Sequence, residues 1–268
     1  MAVAISPAAL YPFAMQQEKP LSRLFVPGDY GAEQTLMLES AQAHYLAHVM
    51  RFSEGERLAV FNGADGEWEA QLAQLHKKHA VLRLLRKRAP QRPSPDVWLA
   101  MAPIKMKTEL VVEKATELGV STILSVIARH CVVKSVNAEK LHARAIEAAE
   151  QCERHDVPVL EERKDLGDLL SRWPRDRLLL YGDESGQSAP LPQLLDSLTA
   201  GAPCGVLIGP EGGFSSEERR MLQAASWARG FGMGPRILRA DTAAVAALSC
   251  IMARVADWHT PPHFIAKD

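Results

Sequence analysis

Only four of the 268 residues are cysteine: Cys131, Cys152, Cys204 and Cys250. They lie far apart and form no CxxC pair, which argues against both a zinc site and a disulfide framework. Reduced thiols in a cytoplasmic protein fit that usage. Excess charge is missing too. The net charge is -1, so bulk electrostatics name no polyanionic partner. No apolar run is long enough to cross a bilayer. The first fifteen residues are mostly apolar, but they lack a basic start and carry Pro7 and Pro12, which speaks against a secretory signal. Residues 1–20 read as a disordered tail, with Met15 an alternative candidate for the true start codon.

What is present is ordinary globular composition, 47% apolar and 24% charged, in a length that suits one large domain or two modest ones. Residues 21–90 read as short strands, with a hairpin signal at Asn62-Gly63 and one helix from Ser40 to Met50, together a small β-barrel. His76 to Arg92 holds seven basic residues and no acidic one, which suits either phosphate contacts or a solvated strand edge. Residues 91–96, rich in proline, read as a linker. From 97 to 262 apolar strands alternate with helices. Val97–Met101, Ser121–Ile127, Arg177–Tyr181 and Cys204–Ile208 are the strands; 107–118, 139–154, 216–228 and 242–257 are the helices. That alternation predicts an α/β domain with a mostly parallel sheet.

Two loops carry the chemistry. Gly209-Pro210-Glu211-Gly212-Gly213-Phe214-Ser215 follows an apolar strand and opens a helix, and Ser215 with Glu218 has capping-box spacing. It is neither a Walker A loop, which needs a lysine, nor a dinucleotide fingerprint. The carboxyl end of a sheet strand is where α/β proteins bind ligands. Gly232-Met233-Gly234-Pro235-Arg236-Ile237-Leu238-Arg239 is the second loop, with Asp241 or Thr242 expected to cap an alanine-rich helix. Brought together as neighbours, the two turns would make a nucleoside pocket with charge beside it.

At these residues the sequence resembles a known family. IGPEGGFSSEE and GPRILRADTA are similar to the signatures of bacterial small-subunit ribosomal RNA methyltransferases that modify N3 of a uridine, members of the SPOUT superfamily. The likeness runs from about Arg23 to Arg254, taking in the segments around Arg23–Val26, His44–Arg51, Lys114–Val120 and Glu147–Cys152. It departs from the family pattern at Asp241, where glutamate is commoner, at His130, where arginine is, and at Glu153, where a small residue is. The resemblance implies a PUA-like barrel followed by a SPOUT-type parallel sheet with a C-terminal trefoil knot. It also implies S-adenosylmethionine as cofactor, a homodimer, and 16S rRNA or the small ribosomal subunit as partner, with no membrane and no metal. By the same resemblance Leu207, Ile208, Gly209, Gly212 and Gly213 line the cofactor pocket from the first loop. Met233, Gly234, Ile237, Leu238, Thr242 and Ala243 line it from the second.

Uracil N3 carries a proton at neutral pH, so methylating it calls for a base and a cation. Glu211 is the carboxylate of the first loop, and Arg236 and Arg239 are the cations of the second. A purely structural role for Glu211, accepting N–H bonds within its loop, is the competing expectation. Arg23, His48, Arg51, Lys105 and Lys107 are the candidates for RNA contact. His44 and His48 are spaced like half a metal site, but Tyr45 stands where a zinc protease has glutamate. Three alternatives stay open: a non-catalytic ribosome-assembly protein with a relic pocket, a nucleotide-dependent oxidoreductase, and a methyltransferase aimed at tRNA or a ribose 2′-oxygen. The missing dinucleotide fingerprint weighs against the second.

Overall fold

The structure, a computed structural model, describes residues 21–260; the tail expected over 1–20 lies outside them. The first sheet comprises β1 (Arg23–Phe25), β2 (Thr35–Leu38), β3 (Arg57–Phe61), β4 (Glu67–Leu75) and β5 (Ala80–Ala89), in the order β1-β3-β4-β5-β2. β1 runs parallel to β3 and the other pairings are antiparallel. The expected helix is α1 (Ser40–His44), which widens into a π-helical turn over Tyr45–Val49. Met50 N–H reaches back to Tyr45 O, five residues away. Leu46, Leu58, Leu72, Leu82 and Leu84 close the small core beneath it.

β5 extends past the expected Leu85 and takes in most of the basic run. Arg86 and Arg88 turn back on Glu69 and Glu67, two glutamates buried in β4. Two of those seven basic residues therefore neutralise internal acids, because a buried carboxylate without a cation is costly.

The second sheet has six parallel strands in the order β11-β9-β10-β6-β7-β8. They are β6 (Val97–Met101), β7 (Thr122–Ile127), β8 (Val159–Asp165), β9 (Leu178–Gly182), β10 (Cys204–Ile208) and β11 (Ala228–Phe231). Both faces are covered, which is why the central strands are continuously apolar. On one face Val97, Leu99 and Met101 of β6 pack under α2 (Thr108–Glu117), α3 (Ala138–Gln151), α5 (Leu191–Leu195) and α7 (Ala240–Arg254). On the other, Ala100 and Leu207 meet Trp173 and Trp227 beside α4 (Leu166–Arg172) and α6 (Ser216–Ala224). Alanines at 244 and 247 let α7 approach closely, and Leu248, Ile251 and Met252 are essentially excluded from water. Each contributes about 1.5–3 kcal/mol. This order, with α7 returning over α2 and β10, is consistent with the trefoil knot the resemblance implies.

Arg23 ties the two sheets together. Its guanidinium donates to Glu67 at 2.7 Å, to the carbonyls of Ala149 and Glu150 at 3.0 and 3.1 Å, and to Arg154 O at 2.8 Å. It thereby caps the negative end of α3. The expectation that Arg23 meets RNA is corrected: the side chain is buried and its donors are engaged inside the protein. Arg154 pairs with Asp156, which also accepts from Ser94 in the linker. Glu153 just beyond α3 has φ 63°, a left-handed conformation better suited to glycine.

His155 sits in this seam and its Nδ1–H donates to Pro90 O at 3.1 Å. Burial lowers its pKa below the ordinary 6.5; the Glu67 carboxylate opposes that shift, while the Arg23 and Arg92 cations reinforce it. The unfolded chain therefore takes up a proton that the native seam resists. His155 contributes no penalty above about pH 6.5, and its penalty grows as pH falls from there toward the lowered folded value. In urea unfolding between pH 7.5 and 5, the protein should lose stability more steeply than a His155→Gln variant. Parallel slopes would show that this imidazole does not couple to folding.

Candidate active site

β9, β10 and β11 are parallel neighbours, so the loops that follow them emerge on one edge of the sheet. The loop Gly209–Ser215 follows β10, and the loop Gly232–Arg239 follows β11. β9 lies between them. The two glycine turns thus do not adjoin directly, as the sequence suggested; a third loop, Asp183–Pro190, stands between. Main-chain bonds fix it against the second turn, Gly232 N to Ala189 O at 2.9 Å and Leu191 N to Gly232 O at 3.0 Å.

The capping box is present as read. Ser215 N donates to Glu218 Oε2 at 2.7 Å and Glu218 N to Ser215 Oγ at 3.2 Å. Glu218 also accepts from Arg129 N at 2.7 Å, which brings the loop after β7 over the glycine turn. There His130 Nδ1 donates to the carbonyls of Gly212 and Gly213, both at 3.1 Å. Carbonyl oxygens only accept, so Nδ1 carries the proton. The tandem glycines have two separate reasons. A β-carbon on Gly212 would lie 2.9 Å from His130 Cβ, and one on Gly213 would lie 2.1 Å from Glu184 Oε1. Gly213 also has φ 68°.

Glu211 is exposed, and among the described residues it has neither an ion-pair nor a hydrogen-bond partner. The structural role, in which it would accept N–H bonds within its loop, is therefore not what the geometry shows. Arg236 and Arg239 are likewise exposed and unpartnered among the described residues. Arg239 is the N-cap residue of α7 and no side chain caps that helix, which corrects the cap expected from Asp241 or Thr242. Asp241 instead holds Lys107 at 2.5 Å, and that hydrogen bond keeps its carboxyl below the usual range. Lys107, expected at RNA, is engaged in this pair; Lys105 nearby is exposed.

Leu207 and Ile208 are buried in β10, Met233 and Leu238 are half-buried, and Ala243 packs on the core. Ile237 is 88% exposed, and a β-carbon on Gly234 would meet nothing within 4 Å. From Met233 to Ile237 no main-chain N–H or C=O is bonded among the described residues. A loop with free polar main chain and a bare isoleucine over open space suits a flat heterocycle with polar edges. Thr242 is exposed at the start of α7. Beside the first sheet, His48 and Arg51 are exposed, the His48 ring tilted 44° to that of His44 with centroids 4.4 Å apart, and Arg51 with φ 57°.

His130 and Glu184 are the site residues that sequence reasoning missed. The polar turn Asp183-Glu184-Ser185-Gly186 at the end of an apolar strand was a usable signal for Glu184. His130 was visible only as a departure from the family pattern.

Comparison with known proteins agrees with this architecture. A family profile described as RNA methyltransferase domain matches residues 91–252, and one described as RNA methyltransferase PUA domain matches residues 38–85. Ribosomal RNA small subunit methyltransferase E of Rickettsia conorii is 33% identical, over 77% of this chain and 84% of its own. The Bacillus subtilis protein of that name is 30% identical, over 81% and 89%. A Legionella pneumophila protein solved with bound S-adenosylmethionine is 31% identical, with TM-score 0.80 over 89% of this chain and 100% of that one. The Neisseria gonorrhoeae protein of the Rickettsia protein's name shares the fold at TM-score 0.80, with 24% identity over 89% and 99%. The second sheet is therefore a SPOUT-type methyltransferase sheet preceded by a PUA-like barrel. With a matching profile over more than half its length and relatives above 30% identity along most of it, this chain belongs to the RNA methyltransferase family that includes ribosomal RNA small subunit methyltransferase E.

Proposed function

We propose that this chain transfers a methyl group from S-adenosylmethionine to N3 of a uridine in 16S rRNA, acting in the cytoplasm as a homodimer. The observation that carries the reading is the edge beyond β9, β10 and β11. There a carboxylate and two guanidiniums stand unpartnered beside glycine turns with free main chain. When bound, S-adenosylmethionine supplies an electrophilic methyl group. Gly209, Gly212, Gly213, Gly234 and Ile237 are the residues suited to holding it, mostly through main-chain groups. Glu211 takes the N3 proton, and Arg236 and Arg239 offset the negative charge that spreads onto the uracil carbonyls. Holding the base in line accounts for much of the remaining rate. His48, Arg51 and Lys105 are positioned on exposed surface to meet phosphate.

The test is methylation of small ribosomal subunits lacking this modification, with the product mapped by mass spectrometry and reverse transcription. One methyl on a uracil N3, which blocks Watson–Crick pairing, is the expected product. A methyl on a ribose oxygen or in tRNA would overturn the reading.

His130 acts here as a positioning residue, since its imidazole touches the turn and not the reacting atoms. His130→Ala is expected to raise the KM for S-adenosylmethionine about tenfold with kcat changed less than threefold, as loss of uniform binding does. His130→Gln, which keeps a donor, should recover most of that loss. An unchanged KM in the alanine variant would remove His130 from the site.

A further inference from the structure

Glu184 is a strongly polar side chain at this edge that the proposed methyl transfer leaves without work. It follows β9, the strand between the two glycine-turn strands, and its carboxylate fills the place a side chain on Gly213 would need, 2.1 Å from that β-carbon position. Its neighbour Asp183 is committed, accepting from Ser185 N at 3.0 Å, Ser185 Oγ at 2.8 Å and Ser188 Oγ at 2.5 Å. Those bonds outweigh burial and keep the Asp183 carboxyl below its ordinary range. Glu184 has no hydrogen-bond or ion-pair partner among the described residues and is exposed. The loop therefore spends one acid on its own shape and presents the other, unpaired, across the glycine turn.

We infer that Glu184 accepts hydrogen bonds from the ribose hydroxyls of the methyl donor and is a specificity residue for that half of the nucleoside. This deepens the function proposed above and rests on it. A carboxylate only accepts, and its two oxygens match two adjacent hydroxyl donors. RNA phosphate is excluded as its partner, because like charges repel. Contact with the sulfonium is disfavoured on catalytic grounds. The sulfur loses its positive charge during transfer, so a carboxylate against it would stabilise the ground state more than the transition state. The ribose diol, separated from the sulfur by C5′ and C4′, takes the acceptor without that cost. A main-chain pocket supplies few anionic acceptors, so this carboxylate would distinguish a ribonucleoside donor from a deoxy analogue.

Calorimetry on the full chain and on Glu184→Gln tests this with three probes: S-adenosylmethionine, S-adenosylhomocysteine and 5′-methylthioadenosine. The last carries the ribose diol but no amino-acid arm. Glu184→Gln should weaken all three by about tenfold, while leaving the thermal midpoint without ligand within about 2 °C of the parent. A variant that weakens the first two and spares methylthioadenosine would place Glu184 at the amino-acid arm and overturn the inference. So would a variant that binds all three as the parent does. If the parent itself binds none of them, the methyltransferase reading has failed before Glu184 is in question.

Discussion

Arg239→Ala is expected to bind S-adenosylmethionine as the parent does and to methylate at about a hundredth of its kcat. The magnitude is that of removing one preorganised group aimed at charge developing in a transition state, about 10²–10³ in kcat. The location supports a functional cation. Arg239 immediately precedes α7, where the helix dipole favours an anion and penalises a cation. No carboxylate among the described residues repays it, because Asp241, the acid in the first turn, is held by Lys107. Stability alone gives no reason for arginine here, so the variant should unfold at the parent's temperature or slightly above it. Single-turnover methylation of small subunits at saturating S-adenosylmethionine separates kcat from binding. A variant that methylates at the parent's rate would take Arg239 out of the chemistry. Arg236 would then be the cation to remove next.

The sequence disclosed the parts of the fold that announce themselves locally. β6 and β10 are runs of apolar residues in a sheet covered on both faces, and their boundaries agree with the reading. The capping box at Ser215 fixed the start of α6 because both of its bonds are formed within four residues. β8 escaped notice since Val159–Asp165 is an edge strand, mostly exposed, with five charged residues in a row and no alternation. β11 was not read as a strand: the expected helix took in Ala228, and Arg229–Phe231 were assigned to no element. At four residues, with Arg229 and Gly230 in the middle, it is a strand only because β9 offers an open edge to pair with. The same division runs through the site. Glycine turns and free arginines are local features and were legible. The placement of His130 and Glu184 on one turn depends on the strand order β9-β10-β6-β7, which no short window encodes. Arg23 was misassigned for the same reason: a lone arginine near the start of a strand gives no sign of the helix end 126 residues away that it caps.

That helix end makes Arg23→Ala the substitution with the largest expected effect on stability, a loss of about 3 kcal/mol. Breaking a buried charge pair by removing one partner typically costs about 3–5 kcal/mol, because the remaining charge stays buried. Glu67 keeps Arg88 at 3.0 Å, which places this case near the lower end. The carbonyls of Ala149, Glu150 and Arg154 lose their donor as well. At about 2–4 °C per kcal/mol for a chain of this size, the thermal midpoint should fall by roughly 10 °C. Arg23→Lys should recover only part of this, since an ammonium cannot span the positions that the planar guanidinium reaches. The second sheet and its glycine turns take no support from Arg23 beyond α3, so S-adenosylmethionine should still bind at low temperature. RNA methylation should fall further than cofactor binding, because the seam sets where His48 and Arg51 stand relative to the methyl-transfer edge. Calorimetric unfolding and cofactor titration on the same preparation decide the matter. A midpoint within about 1 °C of the parent would mean that the seam is held elsewhere, by Arg154, Asp156 and Ser94.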